Sequence, residues 1–153
     1  MQLTARRGSY SSETNCNVTG NAYRESRRTS SSTAQQQIPA KTILFADDEC
    51  SILTVRRLLF ERLGYCVLTA ASGTEALDLL RAHTVDAVVL DYTMSPMNGE
   101  ETARQVRQER SDIPIVLSSA CLSLPKSILE VVDVSVAKGT EPQALVEVLR
   151  QLL

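Results

Sequence analysis

From residue 41 onward, short apolar runs alternate with stretches whose apolar residues recur every three or four positions. The runs lie at 42–46, 66–70, 87–90, 115–118 and 134–136. They are almost continuously apolar, as expected for strands covered on both faces. The helix-period stretches fall at about 50–63, 73–82, 99–109, 125–132 and 141–152. Local signals punctuate them. Gly64 stands where a left-handed C-terminal cap belongs. Ser72 with Glu75 has the form of a capping box. Thr140 before Glu141 and Pro142 reads as a cap with proline in the first turn. Leu145, Val148, Leu149 and Leu152 mark one face of the last helix. Five β-α units in strict alternation predict an α/β fold, a five-stranded parallel sheet doubly wound by helices.

The first 40 residues follow another pattern. They hold 11 apolar residues of 40, against 55 of the following 113, and 19 of the 40 are Ser, Thr, Gln or Asn. Such a segment cannot bury enough apolar surface to offset its ordering entropy, so 1–40 is expected to be a disordered polar tail and 41–153 the domain. Five Arg against two Glu give the tail +3; 11 basic and 16 acidic side chains give the remainder −5. An acidic domain is a poor candidate for gripping nucleic acid directly. No run approaches the roughly 18 apolar residues of a membrane span. The N-terminus lacks the roughly 7–15-residue apolar stretch of a secretory signal, so the Asn17-Val18-Thr19 sequon carries no weight and a cytoplasmic location is expected. Cys16, Cys50, Cys66 and Cys121 are scattered and without a CxxC pair. They read as small apolar residues in a reducing compartment rather than a disulfide framework.

In doubly wound sheets, function gathers outside the carboxyl ends of the strands. Asp47, Asp48 and Glu49 follow the first run, Asp91 the third, Ser118 and Ser119 end the fourth, and Lys138 follows the fifth. Each alone has an ordinary structural explanation, such as an acid favoured before a helix or a turn-forming Asp. Their conjunction is the signal. Three carboxylates gathered without a nearby arginine would repel unless a hard cation sat among them, and an all-oxygen set suits Mg²⁺. No GxxxxGK[ST] or GxGxxG follows any strand, which excludes a phosphate-cradling loop. No GxSxG exists, and His83 sits in a polar helix end, so a hydrolase triad is unsupported. What remains is a metal site with a carboxylate free to take up a phosphoryl group, an amine to neutralise it and a hydroxyl to bind it.

Residues 41–153 resemble the receiver domain of two-component response regulators. The resemblance is carried by Phe45-Ala46-Asp47-Asp48-Glu49, Leu63-Gly64-Tyr65, Val88-Val89-Leu90-Asp91-Tyr92, Met94 with Met97-Asn98-Gly99, Leu117-Ser118-Ser119-Ala120, and Lys138. It implies the flavodoxin-like strand order 2-1-3-4-5 of the chemotaxis receivers. It implies that Asp91 is the phosphoacceptor and a magnesium ligand. Asp48 matches the acid that binds the ion directly, Asp47 the one that acts through water, and Thr93 would lend its backbone carbonyl. Lys138 matches the lysine on the phosphoryl oxygens and Ser119 the switch hydroxyl. The implied donor is a sensor histidine kinase or phosphotransfer protein. Such a chain is a signalling phosphoacceptor, catalysing only its own phosphorylation and dephosphorylation. Because 141–152 is the last helix, the expectation is a single-domain receiver that signals to a downstream protein.

Four departures from the family pattern carry expectations. Ser135 stands three residues before Lys138, where relatives often have an aromatic partner to the switch hydroxyl. Gly139 replaces the usual proline, and a cis bond there would cost about 2.5–4 kcal/mol, so trans is expected. Proline comes one position late, at Pro96. Only 18 residues separate Ser119 from Lys138, so the fourth helix should be short or irregular. The competing reading is a receiver-like binding module that no longer uses phosphate; crowding these charges without a role would be costly. A phosphatase of the DxD type is weaker, because Asp91-Tyr92-Thr93 lacks the second acid.

Overall fold

The computed structural model describes residues 40–121, 123–139 and 142–153. The expected tail and the Thr140 cap therefore lie outside the described residues, apart from Ala40. Five strands, β1 (Thr42–Ala46), β2 (Cys66–Ala70), β3 (Ala87–Asp91), β4 (Ile115–Ser119) and β5 (Val134–Ala137), form one parallel sheet in the order β2-β1-β3-β4-β5. The helices are α1 (Cys50–Arg62), α2 (Gly73–Ala82), α3 (Gly99–Glu109), α4 (Lys126–Leu129) and α5 (Pro142–Leu152). Among the described residues, no helix is long and apolar enough to cross a membrane.

Strand alternation sorts the core into two layers. Leu44, Val88, Leu90, Ile115 and Leu117 pack on the α2–α3 side, with Ile128 of α4. Ile43, Phe45, Val89 and Val116 pack against Leu53 and Phe60 of α1 and Leu145 and Leu149 of α5. Every residue of β3 and β4 is buried, as strands covered on both faces must be. β5 is different. It is an edge strand whose Ser135 and Ala137 are exposed, so its apolar run is covered less than expected.

Of the expected caps, Gly64 forms as read and Ser72 in part. Gly64 adopts φ +91° directly after the α1 C-cap. The Ser72 hydroxyl accepts from the Glu75 amide, but Glu75 turns back to the Ala71 amide, so the reciprocal box is not completed at Ser72. The complete capping box lies at α3: Asn98 accepts from the Glu101 amide and Glu101 from the Asn98 amide. α4 is one turn, shorter than the 125–132 stretch. Beyond it, Asp133 accepts from the Ile115 amide at 2.7 Å and pairs with Arg107 at 2.7 Å, while Arg107 also donates to the Val131 carbonyl. Those bonds draw 131–133 onto α3 and β4, and the helix cannot continue. The cis peptide bond among the described residues is Ser95–Pro96; Lys138–Gly139 is trans, with Gly139 at φ +93°, which no proline could adopt. Cys50 and Cys121 are exposed rather than apolar filler.

Candidate functional site

The site forms at the carboxyl edge of the sheet, where β1, β3, β4 and β5 end side by side. Asp47 follows the last β1 residue and is anchored by its amide to the Ala70 carbonyl of β2 at 3.1 Å. Asp91 is the last residue of β3 rather than the first of a loop, paired in register with Ser118. Asp47 and Asp91 are 0% and 1% exposed, whereas Asp48 stands on the surface. One carboxylate oxygen from each of Asp47, Asp48 and Asp91 falls within 4.8 Å of the others. Lys138 reaches in from the end of β5, its Nζ 2.9 Å from Asp91 Oδ2 and 3.4 Å from Asp47 Oδ2.

The electrostatics follow from burial. Loss of solvent and the adjacent Asp47 charge push the Asp91 carboxyl above the ordinary carboxylate value, against the pull of the Lys138 hydrogen bond and the Thr93 amide. Burial works against the Lys138 ammonium, but its bond to Asp91 and the charges of both acids outweigh that and hold it above the usual lysine value. Asp91 Oδ1 is buried and has no hydrogen-bond partner, a costly state for a carboxylate oxygen. That orphaned atom, with two further carboxylates in reach, fits a hard divalent cation with oxygen ligands.

The remaining predicted residues are placed less directly. Ser119 ends β4 and is buried; its Oγ accepts from the Cys121 amide at 3.0 Å and its carbonyl from the Lys138 amide at 2.6 Å. The hydroxyl is thus engaged with its own loop, while the carbonyl ties that loop to the lysine. Thr93 is exposed in the loop after β3, and it is its amide that faces the Asp91 carboxylate. His83 caps α2 in solvent, away from the chemistry.

Of two further contributors, one stood in the motif without an assigned role and the other was not foreseen. Gly99 opens α3 against the acceptor strand, its amide donating to the Tyr92 carbonyl at 2.9 Å. A Cβ there would collide with the Asp91 carbonyl oxygen and sit 2.8 Å from Tyr92 Cα, so only glycine permits this approach. Arg56 also contradicts the expectation of acids without a nearby arginine. Its Nη1 lies 3.4 Å from Asp47 Oδ2 and its Nη2 donates to Ser118 Oγ at 3.0 Å. The acids are therefore compensated from two sides before any ion is considered.

Residues 43–150 match the response regulator receiver domain family. The chain belongs to the response regulator receiver family. Members of this family are signalling phosphoacceptors rather than turnover enzymes, and they interact with histidine kinases or phosphotransfer proteins. Among curated proteins, the receiver is similar to the alkaline phosphatase synthesis transcriptional regulatory protein PhoP of Bacillus subtilis, 40% identical over 80 residues. That match covers 52% of this chain and 33% of PhoP. The probable transcriptional regulator ycf27 of Cyanophora paradoxa is 37% identical over 120 residues, covering 76% of this chain and 50% of that protein. The receiver thus spans a third to a half of the length of these relatives. Response regulator TrrA of Thermotoga maritima, solved in complex with Mg²⁺-BeF, shares 31% identity at TM-score 0.70 over 74% of this chain and 99% of its own. Vibrio cholerae CheY4 shares 28% at TM-score 0.71, over 74% and 99%.

Proposed function

We propose that the domain accepts a phosphoryl group on Asp91 from a sensor histidine kinase or phosphotransfer protein, in a Mg²⁺-dependent reaction. It then signals through contacts with a downstream protein. The observation that carries this reading is the buried, partnerless Asp91 Oδ1 between two acids and a lysine. An Asp91 oxygen forms the new O–P bond as the donor's N–P bond breaks, the electron pair leaving on the imidazole nitrogen. Burial leaves that oxygen poorly solvated, so little water must be stripped from it. Lys138, already 2.9 Å from the other oxygen, supplies positive charge where the phosphoryl oxygens arrive. Asp48, Asp47, Asp91 and the Thr93 carbonyl would hold Mg²⁺, which when bound offsets the negative charge of acid and phosphoryl group together. Hydrolysis by attack of water on phosphorus returns Asp91 and releases phosphate. Both directions are the domain's own chemistry on itself.

Ser119 is the residue proposed to read the product. Its hydroxyl leaves the Cys121 amide, from which it accepts, and donates to a phosphoryl oxygen, drawing the end of β4 with it. Ser135 is exposed on β5 and too small to vacate a pocket, so the response runs through the end of β4 without an aromatic rotamer change. The phosphate-independent alternative leaves the partnerless oxygen unexplained. The test is incubation with acetyl phosphate, with Mg²⁺ or with EDTA, followed by intact mass. A gain of one phosphoryl mass that requires Mg²⁺ and is lost in Asp91→Asn is expected. Equal labelling of the Asn variant overturns the assignment.

A further inference from the structure

The inward stripe of α1 runs through Leu53, residue 56 and Phe60, at helical spacings of three and four. Leu53 and Phe60 are buried apolar residues, as that stripe requires, but the position between them carries a guanidinium. Its side chain is only 14% exposed. It lies over the Phe45 ring at 5.9 Å from the centroid, donates to Ser118 Oγ, and faces Asp47 Oδ2 at 3.4 Å. Ser118 is itself a polar residue on the β4 face where Val116 packs in the α1–α5 layer. Helix and strand each contribute half of a matched polar pair inside an apolar layer.

We propose that Arg56 is a second resident cation of the acid pocket, a positioning residue that shares Asp47 with Lys138 and limits how tightly the pocket takes Mg²⁺. The inference rests on the metal-dependent reading above and concerns a residue outside the acid–lysine–hydroxyl set. Asp47 Oδ2 meets two cations at 3.4 Å each, and Asp47 Oδ1 accepts from the Glu49 amide at 3.1 Å. Both oxygens of Asp47 are therefore engaged before an ion arrives. Three carboxylates against Lys138 and Arg56 leave the pocket at −1; without Arg56 it would stand at −2. A divalent cation must compete with the resident guanidinium for Asp47 and enters a weaker field. A cavity of 330 Å³, lined by Ile52, Val55, Arg56, Ser118, Lys138 and Leu145, gives the side chain room to withdraw once Asp47 turns away. The guanidinium stays charged throughout, so the device is set by geometry.

The test compares the parent chain with Arg56→Gln, which keeps a hydrogen-bonding head but no charge, and Arg56→Lys, which keeps the charge. Mg²⁺ is titrated and followed by amide NMR shifts, with melting temperature recorded at each concentration. Removing one charge within hydrogen-bond reach of a ligand acid should tighten Mg²⁺ binding about tenfold in Arg56→Gln, while Arg56→Lys stays within about twofold of the parent. The Mg²⁺-dependent rise in melting temperature should begin at correspondingly lower concentration in the Gln variant. A merely structural residue would lower the melting temperature equally at every Mg²⁺ level and leave the affinity alone. Unchanged or weaker Mg²⁺ binding by folded Arg56→Gln overturns the proposal while leaving the phosphoacceptor reading standing. No Mg²⁺ binding by the parent overturns both. If the Gln variant fails to fold, Arg56→Met, whose stem still packs on Phe45, carries the same expectation.

Discussion

Replacing Asp91 with Asn should stabilise the protein when Mg²⁺ is removed. The two side chains have the same shape, so packing on the strand end is retained. In the parent, a carboxylate 1% exposed carries one partnerless oxygen and faces the Asp47 charge. Leaving such an atom unpaired costs about 1–3 kcal/mol. The Asn variant removes that charge and presents donors towards Asp47, but exchanges the ion pair with Lys138 for a hydrogen bond from the ammonium to a neutral oxygen, a loss of about 1 kcal/mol. The balance is a gain of up to about 2 kcal/mol, or a rise of up to roughly 10 °C in melting temperature for a domain of this size. Its pH dependence follows from the raised Asp91 value. Below the ordinary value of 3.8, both folded and unfolded parent are protonated at position 91 and the variant has no electrostatic advantage. As pH rises past it the unfolded chain ionises first, and the parent loses stability until the native carboxyl ionises too. The Asn advantage should therefore grow across that window and be complete above the native value. Urea titrations in EDTA across pH 4–8 read it directly, and added Mg²⁺ should shrink it by stabilising only the parent. An Asn variant less stable than the parent at neutral pH in EDTA, or an advantage indifferent to pH, would refute the reasoning.

Asp48 is exposed and bears no packing load, so Asp48→Ala should leave the melting temperature nearly unchanged while weakening Mg²⁺ binding at least about tenfold; equal affinity by tyrosine fluorescence, with Tyr92 beside the site, would exclude it as a direct ligand. Gly99→Ala should cost about 2–4 kcal/mol and lower the rate of phosphorylation, because the new methyl meets the Asp91 carbonyl. A variant with parental melting temperature would show that α3 can move aside. Ser119→Ala should still be phosphorylated but transmit little to residues 123–136, whereas Ser135→Ala should behave as the parent. Amide shifts with and without beryllofluoride decide between them.

The strands were legible because burial on both faces leaves an almost unbroken apolar run, and 42–46 and 66–70 coincide with β1 and β2. The acid cluster was legible for a topological reason: residues at the carboxyl ends of parallel strands converge whatever lies between them. Tertiary partnerships were not. Between Val55 and Arg57, Arg56 looks like helix surface; only the 53–56–60 spacing hints that it points inward, and its acceptor Ser118 lies 62 positions away. The Arg107–Asp133 pair that ends α4 spans 26 positions and has no local signature. Asn98 and Glu101 did have one, three residues apart before an amphipathic stretch, and could have been read as the cap they form. Gly99 was visible in the motif, but its reason, the backbone of β3 immediately beneath it, is a property of packing alone.

The central claim is that the phosphoryl group lands on Asp91. An aspartyl phosphate is an acyl phosphate, and borohydride reduces it to the alcohol, leaving homoserine where the aspartate stood. The chain is treated with acetyl phosphate and Mg²⁺, reduced, digested and sequenced by mass spectrometry. Homoserine at position 91, absent from the EDTA control, is the result expected. Homoserine at Asp47 or Asp48, or none at any aspartate, would contradict it.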